Sequence, residues 1–362
     1  MCLLHQIDQQ KAEEFGGKLV DVLNHGALAV MLSIGHRTGL LDTMSQLPSA
    51  TSTDIAGAAG LDERYVREWL GAMAAGGIVE VSSNNGATHF KLPKEHAGFL
   101  TRAAGADNFG VFTQYIGLLG SVEKKIVECF YKGGGVPYEQ YEGFHEVMAE
   151  DSGQSVLSSL FDAILPLVPG LTDRLEKGIS VLDIGCGMGR ALNLMAKKFP
   201  NSRFIGYDLS EEAIQMARAE SADNAAGNVS FEVQDLTTFD IDAPAGRFDF
   251  ITSFDAIHDQ ARPDRVLAGI CRALKPDGVY LMQDISASSD VQNNLEHPLG
   301  SLLYTISTMH CMSVSLAQGG MGLGTMWGRE KAQEMLLETG FRQIEIHQLA
   351  HDLQNDYYVV RK

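Results

Sequence analysis

Val181-Leu182-Asp183-Ile184-Gly185-Cys186-Gly187-Met188-Gly189-Arg190 decides how this 362-residue chain folds. An apolar run leads straight into three glycines at alternate positions, and a helical pattern starts directly behind them. Glycine is required where a turn is tight and a ligand must reach the backbone with no Cβ in the way. The helix start beyond it offers free N–H groups and the positive end of a dipole to an anion. Downstream, Phe204-Ile205-Gly206-Tyr207-Asp208-Leu209-Ser210 reads as a second strand ending in an acid, followed by a cap and a helix. Asp208 stands about 20 residues past the glycines, where a carboxylate can accept from both hydroxyls of a ribose. Strand-like runs at Ile179 to Ile184, Arg203 to Tyr207, Val229 to Val233, Phe248 to Ser253 and Val279 to Gln283 alternate with helical stretches near 190–198, 210–222 and 261–273. That alternation predicts an α/β fold, a parallel sheet with helices on both faces.

Nicotinamide dinucleotides share this logic, but their glycines are spaced GxGxxG. Here the spacing is GxGxG, with an acid, Asp183, two positions before the first glycine. The stretch resembles motif I of the class I S-adenosylmethionine-dependent methyltransferases, D/E-x-G-x-G-x-G, in which the acid helps orient the methionine portion of the cofactor. S-adenosyl-L-methionine has no pyrophosphate, only a carboxylate and an ammonium, so an acid here makes chemical sense. Val233-Gln234-Asp235-Leu236 matches the end of the family's third strand, where an acid meets the adenine amino group. Phe250-Ile251-Thr252-Ser253-Phe254-Asp255-Ala256-Ile257-His258 matches motif II, and Leu274-Lys275-Pro276-Asp277-Gly278-Val279-Tyr280 the Lys-Pro-x-Gly turn before the fifth strand. Four motifs in order make a specific signal where one glycine loop would be a weak one. The resemblance implies a Rossmann-like sheet of seven strands into which a last antiparallel strand inserts, with Phe341 to His347 and Tyr357 to Val360 as the final pair. It also implies cofactor contacts at Asp183, Gly185, Gly187, Asp208, Leu209, Asp235, Leu236, Phe254 and Asp255.

Upstream, residues 8–46 have helical spacing and end before Pro48. A short helix capped by Ser52 or Thr53 follows, then one from Glu63 to Ala75 capped by Asp62 and stopped by Gly76-Gly77. Ile78 to Val81, a turn from Ser82 to Gly86, and His89 to Leu92 read as a hairpin. Three helices and a hairpin make a winged helix. Between residues 50 and 100, Asp54, Asp62, Glu63, Glu68, Glu80 and Glu95 outnumber Arg64, Arg67, Lys91 and Lys94, the wrong balance for gripping phosphates. Dimerisation or walling a pocket suits this module better. Residues 105–172 are helical, broken at Gly133-Gly134-Gly135-Val136-Pro137-Tyr138; with Tyr141, Phe144 and His145 behind it, this break is either a hinged aromatic lid or a plain loop. The expected domains are therefore 1–104, 105–172 and 173–362.

Winged-helix methyltransferases resembling this chain include small-molecule O-methyltransferases with a catalytic His in a Leu-His-Asp-Trp segment after the fourth strand. Ile257-His258-Asp259-Gln260 keeps the His-Asp pair and has Gln where the family has Trp. His258 is thus either the general base for the acceptor, with a pKa suited to neutral pH, or a residue that shapes the pocket. The stretch after the fifth strand, with His297, Tyr304, Met309, His310, Cys311, Met312 and Trp327, reads as an adaptable acceptor wall or as ordinary core. His310-Cys311 has no second pair at ligand spacing, so no metal is expected. Arsenic methylation would need clustered thiols, which the spacing of Cys129, Cys186 and Cys311 does not supply.

Composition is that of a globular protein, 45% hydrophobic and 20% charged, with a net charge of -18 that argues against nucleic acid and anionic membranes as partners. The start turns polar too soon for a signal peptide, and no apolar run approaches the length needed to cross a bilayer. Five scattered cysteines, Cys2, Cys129, Cys186, Cys271 and Cys311, point to reduced thiols and a cytoplasmic setting. The expectation is a homodimeric enzyme transferring methyl groups to a small molecule. The alternative is a non-catalytic winged-helix regulator that binds the same cofactor.

Overall fold

The computed structural model describes residues 7–84, 86–223 and 227–362. Met1 to Gln6, including Cys2, and Asn85 of the expected hairpin turn lie outside the described residues. The chain divides into two compact units, one up to Gly117 and one from Leu118.

In the first unit, Asp8 caps a helix over Gln9–Arg37 by accepting from the Lys11 N–H. Gly39, with φ of 71°, ends it, so the expected helical stretch over 8–46 is two helices, the second being Leu40–Gln46. A reciprocal cap between Thr51 and Asp54 opens Ser52–Ala59, and Asp62 caps Glu63–Ala75. Strands β1 (Glu80–Asn84) and β2 (Ala87–Lys91) pair as an antiparallel wing, and Ala50 bridges to Phe90 beside them. Trp69 ties the unit together: its indole N–H donates to the Met31 carbonyl at 2.8 Å, and its ring lies against Gly35.

One expectation is corrected here. Gln9–Arg37 is a continuous 29-residue helix, long and apolar enough by length and composition to cross a membrane. Asp21, Asn24 and His25 split the apolar run in linear sequence, but the helix continues through them and gathers the apolar residues on its surface. Phe15, Leu19, Leu23, Val30 and Ile34 are exposed along it.

The second unit is built on strands β3 (Ser180–Ile184), β4 (Arg203–Asp208), β5 (Val229–Val233), β6 (Phe248–Phe254), β7 (Leu274–Ile285), β8 (Gln343–His347) and β9 (Asn355–Arg361). Among the described residues they form one seven-stranded sheet in the order β5-β4-β3-β6-β7-β9-β8, with β9 antiparallel to both neighbours. The inserted last strand is the one the resemblance implies. Alternation along the strands divides the core: Val181, Phe250 and Leu281 face the helix Arg190–Lys198, while Leu182, Ile251 and Met282 face the helix Pro263–Ala273. Lys275-Pro276-Asp277-Gly278, expected as a turn, lies within β7, where the register with β6 shifts between Phe248 and Phe250.

Sheet order puts the ends of β3, β4 and β6 side by side, with the reversal of strand order between the parallel β3 and β6 as the topological switch point. The helix behind β3 can start there only because Gly189 takes φ of 68° with Phe231 lying 2.4 Å from where a Cβ would sit. Gly189→Ala is therefore expected to cost roughly 2 kcal/mol or more through strain and overpacking. Chemical denaturation measures this, and an unchanged midpoint would mean that the helix start moves aside freely.

Candidate active site

The three glycines of the loop after β3 do different work. A Cβ on Gly185 would meet that of Ala256 at 2.4 Å, and one on Gly189 would meet Phe231, whereas Gly187 has no atom within 4 Å of the Cβ position. The outer two let protein pack on protein, and the middle one leaves open space for a ligand to approach the backbone. Gly185 and Cys186 donate their N–H groups to the Tyr207 carbonyl at 2.8 and 3.0 Å, which lays the loop along β4.

Asp208, at the end of β4, accepts from the Gly187 N–H on one oxygen and from the Ser210 N–H on the other, each at 2.8 Å. Burial raises its pKa, an effect that these backbone donors oppose. Asp183 lies buried on β3, where the Thr252 hydroxyl donates to it at 2.7 Å. Burial pushes its carboxyl up to about 7 against that hydrogen bond. Leu209 is exposed on the loop past β4, and Phe254 is half-buried at the end of β6. Past β5, Leu236 is buried while Asp235 is exposed and accepts from the Thr237 N–H at 2.9 Å. All nine residues expected to hold the cofactor thus lie on β3, β4, β5 and β6 or the loops that leave them.

Asp255 follows β6 with φ of 48°, the one positive value outside glycine among the described residues. Strain of this kind collects at functional sites. Burial first, and then the neighbouring Asp284 carboxylate, raise its pKa well above the usual carboxylate range. Three residues on, buried His258 shares a hydrogen bond between its Nδ1 and Asp284 Oδ1 at 2.8 Å. Burial alone would strip the imidazole of its proton, but the Asp284 carboxylate and the neighbouring Cys311 together outweigh it and hold the pKa well above the ordinary value. The same Asp284 oxygen accepts from the indole N–H of Trp327 and from the Ile285 N–H, both at 2.9 Å. Asp255, His258 and Asp284 place ligand atoms within 4.8 Å of one another, and Asp255 Oδ1 and Asp284 Oδ2 have no hydrogen-bond partner.

Sequence reasoning missed Asp284 and Thr252. Asp284 ends an apolar strand run, and an acid in that place was the available signal. Of the residues read as an acceptor wall, Trp327 reaches Asp284, His297 turns to the Ser286 carbonyl, and His310 and Cys311 sit on a π-helical turn over Ser307–Cys311. The His310 imidazole stacks on Phe144 with centroids 3.9 Å apart, and burial takes its pKa down to about 3. Tyr141 donates its hydroxyl to the Met309 carbonyl at 2.6 Å.

A glycine cradle, an acid on the second strand and a buried His–Asp pair past the fourth define the class I methyltransferase fold. Comparison with known proteins agrees. Residues 26–102 match an Rv2258c-like winged HTH domain, and residues 175–355, half of the chain, match the Methyltransferase domain family. The chain belongs to that methyltransferase family. Human N-acetylserotonin methyltransferase, solved in complex with SAM, superposes with a TM-score of 0.69 over 99% of both chains at 16% identity, which is a likeness of fold. The nocamycin O-methyltransferase of Saccharothrix syringae is 28% identical over 144 residues, 39% of this chain and 47% of that enzyme. Phosphoethanolamine N-methyltransferase 1 of Arabidopsis thaliana is 39% identical over 115 residues, 32% of this chain and 22% of that enzyme. The chain therefore spans less than half of either of these relatives.

Removing the Asp208 carboxylate should release the Gly187 N–H and take away the acceptor for a ribose. Asp208→Ala is expected to weaken S-adenosylmethionine binding by about 1–3 kcal/mol with circular dichroism unchanged. Calorimetric titration decides it. An unaltered dissociation constant would reduce Asp208 to a cap for the following helix.

Proposed function

We propose that this chain transfers a methyl group from S-adenosylmethionine to a hydroxyl of a small-molecule acceptor, with His258 as the general base. The observation that carries this is the buried 2.8 Å hydrogen bond between His258 and Asp284. With Asp284 accepting a hydrogen bond from Nδ1–H, Nε2 is the basic nitrogen. The cofactor supplies a methyl group already activated on a sulfonium. The chain's own task is to hold the reacting atoms in line and exclude water. Asp208 and the Gly185 to Gly189 loop fix the nucleoside end, and Asp183 lies where the ammonium of the methionine portion would bind. His258 Nε2 takes the hydroxyl proton as the new oxygen–carbon bond forms and the sulfur keeps the electron pair of the bond that breaks. An amine acceptor brings its own lone pair and has less need of such a base, which is why the pair favours a hydroxyl. A non-catalytic regulator would have no use for it. The reading includes no metal and no nucleic acid, and a cytoplasmic setting suits the free Cys129, Cys186, Cys271 and Cys311.

His258→Ala should lower turnover roughly 100-fold while cofactor affinity stays the same. Because Asp284 raises the His258 pKa, the neutral base accumulates as pH rises, so turnover should climb through that raised pKa. Asp284→Asn should move the rise to lower pH. Cofactor affinity falling in parallel with turnover in His258→Ala would make the residue a pocket wall instead.

The N-terminal helix supports a second part of the proposal, a homodimer. Phe15, Leu19, Leu23, Val30 and Ile34 recur at spacings of four and seven residues, the pattern of a seam between helices. A second copy would cover them, and polar Asp21, Asn24 and His25 among them suit an aqueous interface better than a bilayer. Light scattering across a dilution series should give twice the chain mass. A monomer at high micromolar concentration, or protein that pellets with lipid vesicles, would count against the dimer.

A further inference from the structure

The segment from Tyr138 to Ser152 runs across the loops that form the cradle and is tied to three of them. Arg190, first residue of the helix behind the glycine loop, donates from Nη1 to the Ala149 carbonyl at 3.0 Å. Ser210, two residues past Asp208, shares a hydrogen bond at 3.2 Å between its hydroxyl and His145 Nε2. Asp259, four residues past Asp255, accepts from the hydroxyl of half-buried Tyr138. These ties reach the loops behind β3, β4 and β6, one to each.

The two ends of the segment differ. Upstream it is clamped: a Cβ on Gly135 would sit 1.8 Å from the Ser313 carbonyl oxygen, and the Val136 N–H donates to the Ser313 hydroxyl at 2.8 Å. Gly143, with φ of 78°, then turns the chain into the helix Phe144–Ser152. Downstream come two π-helical stretches, Gly153–Leu157 and Leu160–Ile164, a rare geometry that concentrates where helices bend or function. A segment held by these three ties and by the Tyr141 hydroxyl on the Met309 carbonyl, clamped before and irregular behind, is built to swing as a unit.

We propose that Tyr138–Ser152 is a lid over the cofactor site, latched by Tyr138, His145 and Arg190, which opens for each exchange of S-adenosylmethionine for its demethylated product. The proposal rests on the cofactor reading above. A closed lid keeps water from the sulfonium and makes exchange depend on breaking the latches. It also explains why aromatic residues follow the glycine break: Tyr138 and Phe144 carry the lid's inner surface to His310, at 5.3 and 3.9 Å between ring centroids.

The test measures association and dissociation of S-adenosylhomocysteine by stopped-flow fluorescence in the full chain and in Tyr138→Phe, His145→Ala and the double variant. Each single change removes one latch and should raise both rate constants about 3- to 10-fold, the double change more, with the dissociation constant altered less than about 2-fold. Unchanged rates would overturn the lid. So would faster dissociation at constant association with a matching loss of affinity, because the residues would then be ordinary contacts. Hydrogen exchange of the unsubstituted protein gives a reading independent of the variants. Residues 138–152 should exchange more slowly when S-adenosylhomocysteine is bound, and unchanged exchange there would also overturn the proposal. Failure of the unsubstituted protein to bind S-adenosylhomocysteine at all would instead sink the cofactor reading.

Discussion

The Asp208 carboxylate holds together what the sheet alone would leave apart. One oxygen takes the Gly187 N–H and the other the Ser210 N–H, so a single side chain joins the loops behind β3 and β4. Burying a carboxylate is costly unless donors surround it, and the backbone supplies them here. Further positions follow from this one. The Ser210 hydroxyl, set by that bond, accepts from the Ala213 N–H at 3.2 Å to begin the next helix, and it also meets His145. Glycine suits position 187 because its φ of 52° lies in the left-handed region while its N–H points at Asp208.

Most of the sheet was legible because strands buried on both faces announce themselves as short apolar runs. The stretch Phe248 to Ser253 was read one residue short of β6, and Arg203 to Tyr207 one short of β4. The residues expected at the cofactor could be placed at the strand ends for a related reason: glycines and acids sit at fixed distances along a local strand–turn–helix unit. What could not be read depends on contacts between distant parts of the chain. Tyr138 and Asp259 are 121 residues apart, and Val136 and Ser313 are 177. No local pattern encodes such a meeting, so in sequence the Gly133 to Tyr138 stretch reads more readily as a plain loop than as a lid. The N-terminal helix was read as helical, but its apolar length was not, because three polar residues hid in linear order what the helical period brings together.

Around His258 the fold accepts a poor arrangement for stability. Asp255 adopts a left-handed conformation with no glycine to ease it, and it lies beside the Asp284 carboxylate and the His258 imidazole. Asp284 crowds three donors onto one oxygen and leaves its other oxygen without a partner. Orphaned buried oxygens are expensive, and a core selected only for stability replaces them with apolar side chains. Their place beside the imidazole, at the edge of the sheet where the strands end, gives the expense a purpose: strongly perturbed groups gather where protons are moved.

The stretch read as either an acceptor wall or ordinary core shows why such a reading is hard to make from sequence. In a regular α-helix, inward positions recur every three or four residues, and Gly300–Ile306 begins that way, with Gly300 and Leu303 buried. The π-helical turn over Ser307–Cys311 then inserts an extra residue and shifts the inward face. As a result Ser307, His310 and Cys311 are buried, followed by Ser313, Val314 and Ser315 in succession. A periodicity search sees noise in this stretch. The structure sees a helix re-aimed so that His310 stacks on Phe144 and the freed Met309 carbonyl takes the Tyr141 hydroxyl. The cofactor motifs are written in backbone geometry shared by a whole fold, whereas the stretch expected to wall an acceptor rests on one irregular turn and the distant segment that packs against it.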